Sequence, residues 1–126
     1  MRLVPLCVGV VLLAFVATAA SAVKFTSCLD NADPTLSPLA ARVKSTFTRF
    51  DDTVCVAFEG TPADIKMLRH LIVYSTADNQ RVDSPINNAI KGRDICVLGQ
   101  GGNATHGYRA YIKDFRREIV DCMILS

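Results

Sequence analysis

The sequence has few of the residues on which catalysis and metal binding usually depend. Tryptophan is absent, only two histidines occur in 126 residues, and neither a C-x-x-C pair nor a G-x-S-x-G motif is present. A structural zinc site needs four closely spaced ligands, and a catalytic nucleophile needs a base within reach. His70 and His106 lie in different segments of the chain. We therefore expect a protein that is not an enzyme and that binds no cofactor and no metal ion.

The sequence also lacks a large excess of charge of either sign. Its 14 basic and 12 acidic residues are interspersed and give a net charge of +2. A surface that binds the phosphate backbone of nucleic acids needs basic residues concentrated on one side. Nucleic acid is therefore not an expected partner. No apolar stretch of membrane-spanning length follows the first 22 residues, so we expect no membrane span in the mature chain.

The N-terminus has the three-part pattern of a secretory signal peptide. A basic start at Met1-Arg2 is followed by an uncharged apolar run over residues 3–17 and by the small-residue cleavage site Ala20-Ser21-Ala22. Cleavage after Ala22 predicts a signal peptide over residues 1–22 and one helical domain over residues 23–126. We expect the mature protein to be secreted and extracellular.

Cleavage at this site would remove Cys7 and leave an even number of cysteines. The four that remain are Cys28, Cys55, Cys96 and Cys122. Thiols in a secreted chain are usually oxidised to disulfides, which small domains use to supplement a limited hydrophobic core. The sequence therefore predicts two disulfides.

Three Ser/Thr-Pro pairs indicate helix starts, because the hydroxyl can cap the helix and proline fits its first position. These pairs are Ser37-Pro38, Thr61-Pro62 and Ser84-Pro85. Apolar residues between positions 39 and 58 recur at steps of four, four, three, four and four, which matches one helix face. We predict helices A to D over residues 38–58, 62–76, 85–98 and 108–123. Residues 95–98 also fit a short buried strand.

The predicted fold class is all-α, a small four-helix up-down bundle. In such a bundle Cys28 and Cys122 lie at one end, whereas Cys55 and Cys96 lie at the other. A 20-residue helix is about 30 Å long, and the Cα atoms of a disulfide lie roughly 4.4–6.8 Å apart. Bonds between opposite ends are therefore excluded, and the bundle predicts the pairs Cys28–Cys122 and Cys55–Cys96.

Two groups of carboxylates are candidates for acid–base chemistry, which needs side chains that converge on one point. Asp51 and Asp52 are adjacent and would diverge on a helix, whereas Asp114 and Glu118 lie beside basic residues. We interpret all four as ordinary surface groups. A third motif, Asn103-Ala104-Thr105, is an N-x-T acceptor in a glycine-rich loop, and it predicts glycosylation of Asn103.

The leader, the short mature chain, the four cysteines and the helix pattern resemble the small helical, disulfide-bonded salivary proteins of blood-feeding insects. The resemblance is greatest to the anophensin-like group of mosquitoes. It implies a protein that interferes with host contact activation or complement. No functional residue can be carried over from the resemblance. Other insect families of secreted four-cysteine helical proteins fit the same outline.

The functional prediction is a secreted effector that binds and inhibits an extracellular protein, such as a plasma protease or a complement component. A disulfide-bonded scaffold without a catalytic set usually acts through its surface, and an interface needs only about 800 Å² per partner. The predicted partner surface lies on helix D and consists of Arg109, Lys113, Arg116 and Arg117.

The alternative function is a carrier that holds a small hydrophobic ligand in a cavity between helices A and D. The argument for it is the aromatic content of these two segments, whereas an ordinary packed core would explain the same residues. The aromatic residues are Phe47, Phe50, Phe58, Tyr108, Tyr111 and Phe115.

Overall fold

The structure, a computed structural model, describes residues 23–101 and 106–126. The predicted signal peptide and Asn103 lie outside the described residues, and the glycosylation of Asn103 stays a prediction. Strands account for 49% of the described residues. They are β1 (Phe25–Ser27), β2 (Lys44–Phe50), β3 (Thr53–Glu59), β4 (Leu68–Ser75), β5 (Arg81–Pro85), β6 (Ile95–Leu98), β7 (Tyr108–Asp114) and β8 (Ile119–Leu125).

These strands form two antiparallel sheets. The larger sheet has five strands in the order β1-β8-β7-β4-β5, and the smaller has three in the order β2-β3-β6. Alternate residues of each strand point inward, as the two-residue period of a strand requires. On β3 these include Val54, Val56 and Phe58, which are fully buried, and they share one hydrophobic core with Ala110 and Ile112 of β7. The two sheets therefore pack face to face as a sandwich.

The prediction of an all-α four-helix bundle is wrong. The segment predicted as helix A folds as β2 and β3, joined by a tight turn in which Asp51 has a φ of 58°. The segment of helix D forms β7 and β8, and most of the segment of helix B forms β4. The alternative for residues 95–98 is confirmed as a strand, because Ile95–Leu98 is β6, but the strand is not buried, and Leu98 is 61% exposed.

Two of the three predicted helix starts exist, but each begins only a single helical turn. The Ser37 hydroxyl accepts a hydrogen bond from the backbone N–H of Leu39 and caps the 3₁₀ turn Pro38–Ala41. The Thr61 hydroxyl accepts from the N–H of Asp64 and caps α1 (Pro62–Ile65). The third pair, Ser84-Pro85, ends β5. Capping chemistry therefore marks where a helical turn begins and says nothing about its length.

Both disulfides are present with the predicted pairs. Cys55 and Cys96 lie directly opposite each other on β3 and β6, with Cα atoms 4.1 Å apart. Cys28 follows β1 and bonds to Cys122 of β8 across a Cα separation of 5.0 Å. The pairing is confirmed, but the geometry from which it was predicted is not, because neighbouring strands rather than helix ends bring the sulfur atoms together.

The cavity predicted between helices A and D does not form, because neither helix exists. The inner faces of β2, β3 and β7 meet in the core, where Phe47, Phe58 and Tyr108 are buried. Phe50 and Phe115 are instead exposed to solvent. None of the helical segments in the described part of the chain has the length and apolar content needed to cross a bilayer.

Candidate functional site

The structure divides the predicted partner surface into two parts. Arg109 and Lys113 lie on β7 and point away from the core, because their neighbours Ala110 and Ile112 point into it. Arg116 and Arg117 lie beyond the strand, in the exposed turn between β7 and β8. The two pairs therefore lie on different elements, one on a strand and the other in the turn that follows it.

The β7–β8 turn owes its shape to a buried carboxylate. Asp114 is only 2% exposed, and its Oδ1 atom accepts hydrogen bonds from the backbone N–H groups of Arg116 and Glu118, each at 2.9 Å. Its Oδ2 atom accepts from the Ser37 hydroxyl at 2.6 Å. The interpretation of Asp114 as a surface group is therefore wrong. The carboxylate therefore links the β7–β8 turn to the 3₁₀ turn. The β7–β8 turn carries Arg116 and Arg117, and Arg117 has a φ of 61°.

Arg109 and Lys113 belong to the outer face of the five-stranded sheet. Residues directly opposite on antiparallel strands point to the same side, so the register defines which residues share that face. Tyr74 of β4 lies opposite Arg109 on one side and opposite Arg81 of β5 on the other. Further along, the register pairs Ile72 with Tyr111 and Asp83, and His70 with Lys113. We call this set of residues on β4, β5 and β7 the sheet face.

Aromatic rings occupy the middle of the sheet face. Tyr74 and Tyr111 meet edge to face, with ring centroids 5.8 Å apart and an interplanar angle of 83°. Ile72 points outward between them, yet only 2% of it is exposed. The face therefore combines a buried apolar side chain with two tyrosine rings that pack against each other. This packing restrains the rings before any partner arrives, which lowers the entropy cost of binding.

The electrostatics of the sheet face are dominated by cations. The Arg81 guanidinium donates a hydrogen bond to the Tyr74 hydroxyl at 3.4 Å, and this bond raises the pKa of Arg81. The only carboxylate in the three-strand register of the face is Asp83, which lies 3.1 Å from His70 Nδ1. The cationic groups of Arg81, Arg109 and Lys113 therefore outnumber the acidic groups on the described face.

A second polar cluster, which the sequence did not predict, lies at the end of the sandwich where β2 joins β3. The buried Tyr108 hydroxyl donates to Asp52 Oδ1 at 2.8 Å, and burial together with this bond raises the pKa of Tyr108 to about 12. The Arg49 guanidinium lies 4.7 Å from the ring centroid and donates to the Leu125 carbonyl at 3.0 Å. The ring of His106 meets that of Tyr108 at 4.6 Å.

The contacts of this second cluster indicate a structural role rather than a catalytic one. A raised pKa keeps Tyr108 protonated at neutral pH, so its oxygen is not an activated nucleophile. Gly99 closes over the same ring, since a Cβ atom there would lie 2.5 Å from the Tyr108 ring. The sequence contained one usable signal for this close approach, the glycine-rich segment that begins at Gly99, but such a segment fits a plain connector equally well.

A metal site would need several ligating side chains that converge on one point. Within residues 23–101 and 106–126, no group of three or more His, Cys, Asp or Glu side chains converges to hold an ion. The histidines are engaged elsewhere, His70 with Asp83 on the sheet face and His106 with the Tyr108 ring. The sheet face offers hydrogen-bond donors, positive charge and aromatic rings, with Asp83 as the carboxylate in its three-strand register.

No protein-family model, no curated protein and no solved structure matches this chain. The helix pattern that contributed to the resemblance to insect salivary proteins is absent from the described residues, where the chain forms two sheets. The resemblance stays a prediction, which depends on the predicted leader, the length of the predicted mature chain and the four cysteines.

Proposed function

We propose that this protein is a secreted, non-enzymatic effector that binds an extracellular protein through the sheet face and blocks that protein's activity. The observation that supports the proposal is the register of β4, β5 and β7, which places Tyr74, Tyr111 and three cations on one side of the sheet. Tyrosine and arginine are the residue types that contribute most to binding energy at protein interfaces.

The arrangement of the sheet face also favours a specific kind of partner. Arg81 lies on the edge strand β5, whereas Arg109 and Lys113 lie on the central strand β7, which also carries Tyr111. An interface on this face would therefore bury Arg109 and Lys113 beside the tyrosine rings, where arginine and tyrosine contribute most to binding energy. A partner with an acidic surface beside an apolar patch would be complementary to it.

The proposal makes the protein a binder because the groups on this face are hydrogen-bond donors and rings, not a nucleophile beside a base. Secretion is part of the proposal. Two disulfides are compatible with an extracellular protein, because they persist in oxidising compartments. A target in haemostasis or complement is the most specific part of the proposal, and it depends on the salivary resemblance rather than on the sheet face.

Surface plasmon resonance against purified plasma proteases and complement components tests the proposal, with inhibition measured for each target that binds. We expect the double variant Arg109→Ala/Lys113→Ala to lose at least about 30-fold in affinity, since interface hot spots cost about 2 kcal/mol or more. The matched control is Lys24→Ala/Lys44→Ala, which removes two exposed cations that lie outside the sheet face. The control should bind as the wild type does.

Two results would contradict the proposal at different levels. If no component of the panel binds, the target does not belong to haemostasis or complement. If a target binds but both double variants bind it equally well, the interface lies elsewhere on the molecule. Hydrolysis or modification of a bound target by the purified protein would contradict the non-enzymatic role.

A further inference from the structure

One end of the sandwich carries apolar side chains in solvent on three separate connections. Met67 follows α1 and is 40% exposed, Ile90 in the β5–β6 loop is 51% exposed, and Phe115 in the β7–β8 turn is 51% exposed. The connections touch, because the N–H of Phe115 donates to the carbonyl of Met67 at 3.0 Å. Ile90 lies across a groove from residues 65–69. We call this part of the molecule the α1 end.

The groove at the α1 end is open, has a volume of about 820 Å³ and is basic. Its floor contains the buried side chains of Ile65, Leu68 and Ile86, and its rim carries Lys66 and Arg69. The Arg69 guanidinium donates to the backbone carbonyls of Lys66 and Leu68, which hold it in position without neutralising its charge. None of the described residues that line the groove carries a carboxylate.

Two further cations extend this basic region to the other side of Met67. Arg116 lies over the Phe115 ring, with its guanidinium carbon 5.3 Å from the ring centroid, and Arg117 follows in the same exposed turn. Of the acidic groups at this end, Glu118 lies in the same turn and Asp94 is exposed in the β5–β6 loop, whereas two others are engaged. Asp64 forms an ion pair with Arg42 at 3.2 Å, and the buried Asp114 accepts hydrogen bonds from Ser37 and the turn.

We propose that the α1 end docks onto the surface of an anionic lipid bilayer. Met67, Ile90 and Phe115 would enter the boundary between headgroups and acyl chains, while the cations beside them would contact anionic headgroups. Exposed apolar side chains combined with lysine and arginine are the features that give peripheral binding to acidic membranes. A fluid bilayer accepts apolar side chains from three separate connections, whereas a protein partner would need a matching pocket for each.

This proposal is independent of the proposed function, because it concerns different residues. Arg109 and Lys113 of the sheet face do not line the groove at the α1 end, and Arg69, Met67 and Phe115 are not part of the sheet face. A protein target and a membrane could therefore be bound by different surfaces of the same molecule. Failure of either test leaves the other unaffected.

Co-sedimentation of the mature, disulfide-bonded protein with vesicles tests the proposal. We expect binding to phosphatidylcholine vesicles that contain about 20% phosphatidylserine, no binding to pure phosphatidylcholine, and weaker binding at high salt. The variant Lys66→Gln/Arg69→Gln should reduce the partition coefficient roughly 25-fold, at about fivefold for each cation near the surface. Phe115→Ser should reduce it on the order of tenfold through the loss of apolar insertion.

Matched controls exist elsewhere on the chain. Lys24→Gln/Lys44→Gln removes two cations outside the α1 end, and Phe50→Ser removes a phenylalanine that is 85% exposed at the opposite end of the sandwich. Both controls should bind the acidic vesicles as the wild type does. All the substituted side chains are exposed, so each variant should retain the unfolding midpoint of the wild type.

Three outcomes would overturn the proposal. The first is no binding to the acidic vesicles at low salt. The second is an equal loss of binding in the controls and in the α1-end variants. The third is preferential binding to soluble polyglutamate over the acidic vesicles, abolished by Lys66→Gln/Arg69→Gln, which would identify an acidic polypeptide as the occupant of this surface.

Discussion

At the scale of single residues, the buried phenol of Tyr108 shows how a polar group is accommodated inside this small sandwich. Its ring fills space beneath Gly99, its hydroxyl donates to Asp52, and the cation of Arg49 lies against the ring. A buried hydroxyl without a partner would cost more than its hydrogen bond contributes. The three interactions let the aromatic ring enter the core at the end of the molecule while its oxygen reaches a carboxylate.

The first prediction concerns the ionisation of Tyr108. Burial and the bond to Asp52 raise its pKa from 10.0 to about 12, so the folded protein retains the phenolic proton that the unfolded chain loses. The resulting stabilisation is complete below pH 10 and declines as the pH rises towards 12. Spectrophotometric titration of wild type minus Tyr108→Phe should show an absorbance step near pH 12, and a step near pH 10 would contradict the account.

At the scale of elements, the alternation that defines the strands is visible in the sequence, but it also fits the helical period that the prediction favoured. Steps of four residues fit a helix, but four is also a multiple of two, so the same steps fit one face of a strand. Phe50 is the residue that separates the two periods. Phe50 is apolar, but it lies at a position of β2 whose side chain points away from the core, and in the structure it is 85% exposed.

The composition of these segments contained a second signal for strands. The run over residues 44–58 is rich in threonine, valine and phenylalanine, which favour strands, and its Asp51-Asp52 pair fits a turn. The helix starts at Ser37 and Thr61 were predictable because capping is local. The length of each capped helix was not predictable, because packing between distant strands decides it.

The second prediction concerns the link between the β7–β8 turn and the 3₁₀ turn. Asp114→Ala removes the acceptor of three hydrogen bonds at a site that is 2% exposed, so we expect it to lower the free energy of unfolding by about 2–4 kcal/mol. Urea unfolding followed by circular dichroism measures the change. Asp94→Ala, at an exposed position, should change stability by less than about 0.5 kcal/mol. Equal effects of the two substitutions would show that the buried carboxylate does not fasten the turn.

In the whole molecule, each of the two sheets contains one of the two disulfides. One bond crosses between neighbouring strands of the smaller sheet, and the other ties the segment after β1 to β8. The sequence led to the correct pairs through a bundle geometry that does not exist, because neighbouring strands bring the sulfur atoms together. It could not predict the sheet face, because Tyr74, Arg81 and Arg109 become neighbours only through the order of strands β5-β4-β7.

Both the fold and the sheet face depend on the antiparallel register of β4 and β7, which places Tyr74 opposite Arg109 and Ile72 opposite Tyr111. Nuclear Overhauser spectroscopy of the mature protein tests it most directly, since α-protons come close at every second pair of an antiparallel ladder. We expect such cross-strand contacts along β4 and β7. Their absence, together with sequential amide contacts typical of helices over residues 62–76 and 108–123, would contradict both the fold and the sheet face.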